Sequence, residues 1–586
     1  MKQHQFKGKI TIWKGFIILL SIVVLMACIA VLFPQVRQLM MDSVERILHR
    51  KLDSYQMWLN ALHSFAMGGI CFILFFDYCT LTDSGRALVQ KVKQEIKESL
   101  LEIDFRSLVK PLLLMIGVYL LGILTIIRAN FAFEDDLKRL VEGSRIWYNW
   151  SRYVSEFSSI FIHGDTNLTD ISPMPQLLAV LILAVSSVLL VYVVGNKKIT
   201  TVRLLASIPL GLSPYFLGCL VYKFDAPYMA LSIFASIFPF LFAAHKKTFF
   251  FSSVVSLLIM CMSYQSASGV YPMIVLILCF HEWNNRKKSH KEILSFLGIA
   301  AFAFCLTMLI YRVFLMMPHV ENYSSTEVLP FSHIVTGTLD NIKNYVSVIN
   351  HDLGVIWKIG IVLVLFFFLV KSIHQSAQKK LLSLIVSILV IGASFILSYG
   401  VYSLLTLPLY YAHALFGFGV FLSIFCIYVV SDYKKIAIVA VLALNWCLFT
   451  FAFSYGNALA DQARYTEFRL SILLSDLSEL HPDADSENIS IQLNNMIDYA
   501  PSVKNIAKHY PVIERLVPRR LGELKDAWWN IYYFMKYFNN GFTIDALDES
   551  GDYPIDFNSL NLPVVLDSYY HTIRSDGNRI LIILKH

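Results

Sequence analysis

The stretch PLLLMIGVYLLGILTIIRANFAFEDDLKRLVEG, from Pro111 to Gly143, passes from an apolar run to a charged segment within a few residues. Residues 111–129 contain a single charged side chain, Arg128. A helix of about 20 apolar residues crosses the roughly 30 Å hydrocarbon core of a bilayer. Only a helix satisfies its backbone groups internally in lipid. The stretch therefore predicts a membrane span that ends just before two adjacent acids, Asp135 and Asp136.

Similar apolar runs recur along the chain. Of its 586 residues, 56% are hydrophobic and only 16% are charged, which lies outside the usual range of soluble domains. The net charge is +7, but the lysines and arginines lie in short clusters between apolar runs, so we expect no nucleic acid partner. All nine cysteines lie in apolar runs without CxxC spacing, and neither a zinc site nor a disulfide scaffold is predicted. The sequence predicts an all-α polytopic bundle embedded in a lipid bilayer.

Thirteen segments are long and apolar enough to be predicted spans, the first of which is interpreted as an uncleaved signal anchor. They are 13–33, 61–80, 111–129, 175–194, 204–221, 226–244, 248–264, 269–283, 293–317, 356–371, 381–401, 411–430 and 436–455. Lysine clusters follow alternate spans, at 91–97, 196–198, 245–247, 285–291, 378–380 and 432–435. Positive loops stay in the cytoplasm, so the other loops and the tail are predicted to be extracytoplasmic.

Three regions are predicted. Residues 1–104 form an N-terminal extension with two spans, 105–455 a multispan membrane domain with external loops 130–174 and 318–355, and 456–586 an extracytoplasmic domain. The basic segment 34–60 fits an external loop poorly, and an interfacial helix is the alternative. In the tail, ENISIQL (487–493) and NRILIILK (578–585) are typical of strands and indicate a small α/β domain. The predicted fold is therefore a bundle of about 11–13 transmembrane helices followed by this domain.

The acid pair has two interpretations. On a helix starting near Phe133, Asp135 and Arg139 share one face, and an apolar stripe would place the helix in the membrane interface. Trp147, Trp150 and Tyr153 would then be aromatic belt residues. In the first interpretation, the acids cap the helix and form a surface ion pair with Arg139. In the second, two crowded carboxylates raise one pKa and create a general base.

Further polar residues fall on the same predicted external surface. A short turn holds Tyr222, Lys223 and Asp225, and the next one holds Tyr264 and Gln265. Lys223 at a span boundary is also explained by interface snorkelling, and a polar turn alone indicates little. Positive charge for a lipid phosphate is available from Arg139, Arg145, Arg152 and Lys223. Because the spans contain few ionisable residues, we place any chemistry at the outer interface.

Four segments, taken in order, resemble the polytopic glucosyltransferases that convert O-antigen serotype in enteric bacteria. They are NFAFEDDLKRLVEGSRIW (130–147), DISPMPQLLAVLILA (170–184), LSPYFLGCLVYKFDAPYMALSIF (212–234) and YQSASGVY (264–271). The resemblance implies a type-C glycosyltransferase fold that uses undecaprenyl-phosphate-glucose as donor and O-antigen polysaccharide as acceptor, with inversion. It also implies that Asp135 and Asp136 are catalytic and that Asp225 is a supporting polar residue. A lipid-glucose synthase and a lipid-glucose flippase are the partners it suggests.

Other functions remain open at this stage. A flippase for lipid-linked sugars would need a polar path across the bundle, and an O-antigen polymerase or ligase would use a similar external loop. The aromatic segment WWNIYYFMKYF (528–538) offers faces for sugars or, alternatively, a packed core. We predict no cofactor and see no cage for a metal, while a requirement for a divalent metal is left open.

Overall fold

Helices account for most of the described chain, as its apolar runs require. The computed structural model describes residues 2–48, 55–133, 135–317, 320–321, 324–432, 435–480, 489–522, 543–544 and 555–585. The first helices are α1 (Lys2–Leu32), α2 (Pro34–Leu48), α3 (Tyr55–Leu81) and α4 (Asp83–Leu101). A 96° bend separates α1 from α2. A turn of this kind is typical of a helix lying along a membrane surface, the alternative interpretation of residues 34–60.

Sixteen further helices form the bundle that follows. The first part contains α5 (Phe105–Ala129), α6 (Asp135–Glu142), α7 (Tyr153–His163), α8 (Met174–Val194), α9 (Thr201–Ala206), α10 (Pro209–Leu212), α11 (Pro214–Leu220) and α12 (Ala226–Ile237). The second contains α13 (Lys246–Ser263), α14 (Val270–Asn284), α15 (His290–Ile310), α16 (Ile334–Asp352), α17 (Val355–Gln375), α18 (Lys380–Leu397), α19 (Gly417–Val429) and α20 (Lys435–Leu480). A two-stranded hairpin of β1 (Val320–Glu321) and β2 (Ser324–Ser325) precedes α16. Because α16 lies within the predicted loop 318–355, much of that loop is helical.

The centre of the bundle is α19, which is buried along its whole length. A helix that is apolar on every side is stable only inside a protein or a membrane. It packs against α10 with little room, since a Cβ added to Gly419 would come within 2.6 Å of the Pro209 carbonyl oxygen. Lipid is as apolar as a protein core, so helices in a membrane associate through close packing rather than through the hydrophobic effect. A glycine at the contact allows this close approach. The same core includes α8, α12 and α20.

The helical class is confirmed, but fewer segments are full-length spans than the thirteen predicted. Among the described residues, eight helices are long and apolar enough to cross a membrane, or up to ten if each bent pair counts as one span. The predicted spans at 226–244, 269–283 and 411–430 are shorter helices, α12, α14 and α19. These three are largely buried among other helices. Helices enclosed by protein do not need the full length that contact with lipid imposes.

The loops divide between two ends of the bundle in the alternating order that the sequence predicts. At the lysine end, Lys197 pairs with Glu102, and the Thr248 hydroxyl donates a 2.6 Å hydrogen bond to Glu95. At the other end, residues 130–173 contact the turns at 221–225 and 264–265 and the segment after α15. We call this second end the loop end. It holds every residue of the predicted site.

The tail contains the small sheet that the sequence predicts. Its elements are α21 (Pro501–His509), α22 (Ile513–Leu516), β3 (Ser490–Asn494), β4 (Thr543–Ile544), β5 (Val564–Asp567), β6 (His571–Ser575) and β7 (Arg579–Leu584). The strand order is β4-β3-β7-β6-β5. The two predicted strands, β3 and β7, are parallel neighbours in register from Ser490 opposite Arg579. The aromatic segment 528–538 lies outside the described residues.

Tail and bundle are joined more closely than a boundary at residue 456 implies. That position falls inside α20, which continues unbroken from the bundle into the tail. Ile513 and Leu516 of α22 are buried in the bundle core. Arg515, between them, donates to Asp352 at the end of α16 over 2.7 Å. The tail therefore rests on the loop end and shares its core.

Candidate active site

The site is built on α6, and local interactions explain why this short helix forms. Asn130 ends α5 in the left-handed conformation, with φ of 45°, so the chain turns away from the span. The Asp136 carboxylate then accepts a 2.8 Å hydrogen bond from the Phe133 N–H, which would otherwise lack a partner at the helix start. After eight residues the helix ends at Gly143, where φ is 65°. The predicted helix near Phe133 is therefore confirmed.

The helix does not lie in the membrane interface, however. Its apolar residue Leu137 is 2% exposed and belongs to a core with Leu470 and Leu473 of α20. Trp147, predicted as a belt residue, is 1% exposed and also internal. The prediction that the apolar stripe lies in the membrane interface is therefore wrong. The stripe packs beneath the tail, whose contribution a sequence pattern does not indicate.

Asp136 is completely buried and fixes α6 to a neighbouring turn. Its Oδ2 also accepts the Lys223 N–H at 3.0 Å, while Oδ1 has no hydrogen-bond partner among the described residues. Burial is the largest influence on this carboxyl, and hydrogen bonds from the Lys223 and Phe133 backbones oppose it only in part. The pKa of Asp136 rises to about 8. This side chain is therefore neutral at pH 7 and positions the backbone.

We expect the isosteric change Asp136→Asn to be tolerated. The pKa of Asp136 is about 8 in the folded protein, above the value of about 3.9 in the unfolded chain. The stability that the neutral carboxyl contributes is therefore complete below the unfolded pKa and is lost as the pH rises through the folded pKa. Asparagine does not titrate. The Tm of the variant minus the Tm of the wild type, both measured in detergent, should therefore increase between about pH 5 and about pH 9. A difference in Tm that stays constant over this range would contradict the assignment.

Arg139, Asp225 and Trp147 complete what we call the closed cluster, together with Asp136. The Arg139 guanidinium and the Trp147 indole N–H both donate to the Asp225 carboxylate. The guanidinium also lies 4.5 Å from the centroid of the Trp147 ring, a cation–π contact. Arg139 is 2% and Asp225 4% exposed. Arg139 makes the predicted ion pair with Asp135, at 4.0 Å, and also a second, buried pair with Asp225.

Two further predicted cations are also neutralised within the protein. The Lys223 ammonium donates to Asp170 at 2.7 Å, and although burial opposes it, this bond helps to hold the pKa of Asp170 below its usual value. The Arg145 Nε lies 3.4 Å from the Glu156 carboxylate. Lys223 is therefore not a snorkelling residue, since its side chain is only 5% exposed.

Asp135 differs from its neighbour because its side chain is 45% exposed. The surrounding protein nevertheless raises its pKa, chiefly by desolvation and also through the Asp225 charge, while Arg139 and Arg152 act in the opposite direction. A carboxylate that is accessible and also partly desolvated fits a recess open to solvent. A raised pKa brings a carboxylate closer to the range in which it accepts protons effectively near neutral pH.

Arg152 supplies a positive charge that remains available. Its Nε donates to Gln265 Oε1 over 3.2 Å, and its guanidinium lies 4.1 Å from the centroid of the Tyr264 ring. Gln265 is itself fixed by donating to the Trp150 carbonyl oxygen and the Tyr311 hydroxyl. Arg152 is partly exposed and, in the part of the chain that the structure describes, makes no ion pair with a carboxylate. This is a suitable position for an anionic ligand.

One site residue was not assigned from the sequence. His413 shares a 3.1 Å hydrogen bond between its Nδ1 and the Tyr222 hydroxyl, and its ring contacts that of Tyr264 edge-on. Burial, and then the Arg152 charge, lowers the pKa of His413 to about 4, so the imidazole is neutral at pH 7. The available signal was an ionisable residue at the start of an otherwise apolar segment.

The predicted residues thus meet at one end of the bundle, in two different environments. Partly exposed side chains form what we call the open cluster, namely Asp135, Arg152, Gln265 and His413. Tyr222 and Tyr264 are buried behind it. Among the described residues, no three His, Cys, Asp or Glu side chains are grouped so that they would hold a metal ion. The open cluster combines a carboxyl group of raised pKa with the guanidinium of Arg152.

Comparisons with known proteins concern the region of the chain that contains these residues. Residues 124–408 match the family model described as glucosyl transferase GtrII. A protein of Salmonella phage P22, described as an uncharacterized 55.3 kDa protein in the gtrB 5' region, is 24% identical over 419 residues, covering 68% of this chain and 84% of that protein. No solved structure matches. The matched region contains both acids, and the resemblance to this glucosyltransferase family found in the sequence is confirmed over residues 124–408.

Proposed function

We propose that this multi-pass glycosyltransferase moves glucose from undecaprenyl-phosphate-glucose to an O-antigen repeat of lipopolysaccharide. The reaction takes place at the periplasmic face of the bacterial inner membrane, where the loop end lies. The observation that carries the proposal is the open cluster. It holds Asp135, with its raised pKa, close enough to the available Arg152 for the arginine charge to act on the carboxyl.

The transfer is a single displacement at the anomeric carbon. The acceptor hydroxyl oxygen forms the new bond to this carbon as the bond to the lipid phosphate breaks, and the phosphate leaves with the electron pair. Asp135 takes the hydroxyl proton. Attack opposite the leaving group inverts the anomeric configuration, and the developing positive charge on the sugar is stabilised by the nearby carboxylate.

Arg152 has the role of binding the donor phosphate. Guanidinium groups match phosphate oxygens in geometry, and the stacking on Tyr264 and the bond to Gln265 hold this one in place. Arg139, Arg145 and Lys223 are less suited because each already pairs with a carboxylate. The neutral His413 and the Tyr222 hydroxyl that it contacts provide uncharged hydrogen-bonding groups for sugar hydroxyls.

The function is tested on lipopolysaccharide from cells that make both the lipid-linked glucose and an O-antigen. Expression of the full chain should add one hexose to each O-antigen repeat, as measured by mass spectrometry. The same chain in a host without the synthase for lipid-linked glucose should add none. Unmodified repeats in the first host, with the protein present in the membrane, would reject the transferase function and favour lipid transport.

Replacement of the phosphate-binding arginine should weaken donor binding selectively. A hydrogen bond to a charged group contributes about 1.5–3 kcal/mol, so Arg152→Gln should raise the KM for undecaprenyl-phosphate-glucose about 10- to 100-fold. The KM for the acceptor should change little. Arg128→Gln is the matched control, because Arg128, at the end of α5, is exposed and contacts Asn457. An equal rise in both KM values for Arg152→Gln would contradict the phosphate role.

A further inference from the structure

A second polar space lies beside the open cluster, between the loop-end termini of α5 and α8. It is a cavity of about 260 Å³. Its polar lining comes from Asn130, Ser172, Gln176 and Lys223, and apolar side chains such as Ile127 and Val221 complete the wall. Polar groups set among apolar surfaces are typical of a binding site for a small molecule.

Gln176 is the feature that indicates a ligand. The side chain is on α8 and the residue is only 5% exposed, yet its amide oxygen has no hydrogen-bond partner among the described residues. A buried acceptor without a partner destabilises the folded protein, because it has lost its bond to water. A rotation of the Gln176 amide would turn this oxygen toward the cavity, where a ligand hydroxyl would donate to it and remove that cost.

The charge of the cavity restricts the ligand to a neutral one. Its cation, Lys223, is already paired with Asp170 over 2.7 Å. A phosphate would find no free charge here, whereas Arg152 offers one in the open cluster. The volume is below the roughly 300–1,000 Å³ of pockets that hold drug-sized ligands, so a single sugar unit is the appropriate size.

The cavity is also connected to the helix that carries the proposed base. The backbone N–H of Lys223, which lines the cavity, donates to Asp136, and Asp136 directly follows Asp135 in α6. The cavity therefore shares the 221–225 turn with α6, the helix that carries Asp135.

We propose that this cavity binds one neutral sugar unit of the acceptor glycan and that the Gln176 amide oxygen accepts a hydrogen bond from one of its hydroxyls. The inference rests on the proposed function, because a glycosyl acceptor is needed only if the chain transfers sugar. The proposal assigns the two substrates to different binding sites. The charged donor phosphate binds at Arg152, and the neutral acceptor binds between α5 and α8.

The test compares the KM values for the two substrates in the full chain, reconstituted in nanodiscs with undecaprenyl-phosphate-glucose and O-antigen lipopolysaccharide. Gln176→Leu removes the acceptor oxygen at nearly constant volume. It should raise the KM for lipopolysaccharide about 3- to 10-fold and leave the KM for the donor unchanged. Ser186→Ala is the matched control on α8, because the Ser186 hydroxyl donates to the Ile182 carbonyl of its own helix and has no other hydrogen bond within the described part of the chain. An unchanged acceptor KM, or a donor KM that rises equally, would overturn the proposal.

A binding measurement separates this proposal from the function on which it rests. Saturation-transfer NMR with delipidated O-polysaccharide and the full chain in micelles needs no donor and no turnover. Contact signals from the polysaccharide that weaken in Gln176→Leu and persist in Ser186→Ala support the cavity even if no transfer is detected. If the wild-type chain transfers glucose but its contact signals are the same in Gln176→Leu, the cavity is not the acceptor site.

Discussion

Asp135→Asn should abolish nearly all glucosyl transfer, with a fall in kcat of about 10²- to 10⁴-fold, the usual contribution of a general base. Asparagine preserves the size of the side chain but cannot take the hydroxyl proton. Because α6 is held by Asp136, Leu137 and Arg139, the substitution should leave the fold intact. The kcat is measured with the reconstituted full chain, and protein content and Tm are matched to the wild type.

The dependence of kcat on pH gives this prediction a second readout. The pKa of Asp135 is raised above that of an ordinary aspartate, so activity should fall on acidification at a pH above about 3.9, where the base becomes protonated. Asp165→Asn is the control, since Asp165 is an exposed acid of the same loop whose hydrogen bonds, in the described ranges, come from its neighbours Thr166 and Asn167. If Asp135→Asn retained full activity while Asp136→Asn lost it, the assignment of the base would be reversed.

Asp225→Ala should be the most destabilising single change at the site, by about 3–5 kcal/mol. It leaves the buried Arg139 guanidinium without its counterion and the Trp147 indole N–H without its acceptor. Thermal unfolding in detergent should show a large decrease in Tm, and the amount of protein in the membrane should fall.

A double-mutant cycle distinguishes the ion pair from general loss of packing. Arg139→Met with Asp225→Leu removes both charges, so it should be less destabilised than Asp225→Ala, since neither charge is left unpaired. If the double variant were as unstable as the sum of its single changes, Arg139 and Asp225 would not act as a pair.

The separation of the two acids is the part of the site that the sequence does not determine. Asp135 and Asp136 are adjacent and chemically identical, and crowding predicts only that one pKa is raised. The folded chain places Asp136 against the Lys223 backbone with no exposure and leaves Asp135 45% exposed. The roles of the arginines divide in the same way. Arg139 pairs with Asp225, 86 residues away in the chain, whereas Arg152 makes no ion pair with a carboxylate among the described residues.

The sequence by itself determines the features that depend on neighbours in the chain. These are the apolar runs that form helices, the alternation of loops between the two ends, strands β3 and β7, and the motifs shared with the GtrII family. Lipid imposes length and apolarity on each segment separately, so local composition is sufficient. Tertiary structure decides which polar groups remain accessible. Burial and pKa depend on side chains brought together from distant segments, as with Tyr222 and His413, 191 residues apart, and no local pattern records those contacts.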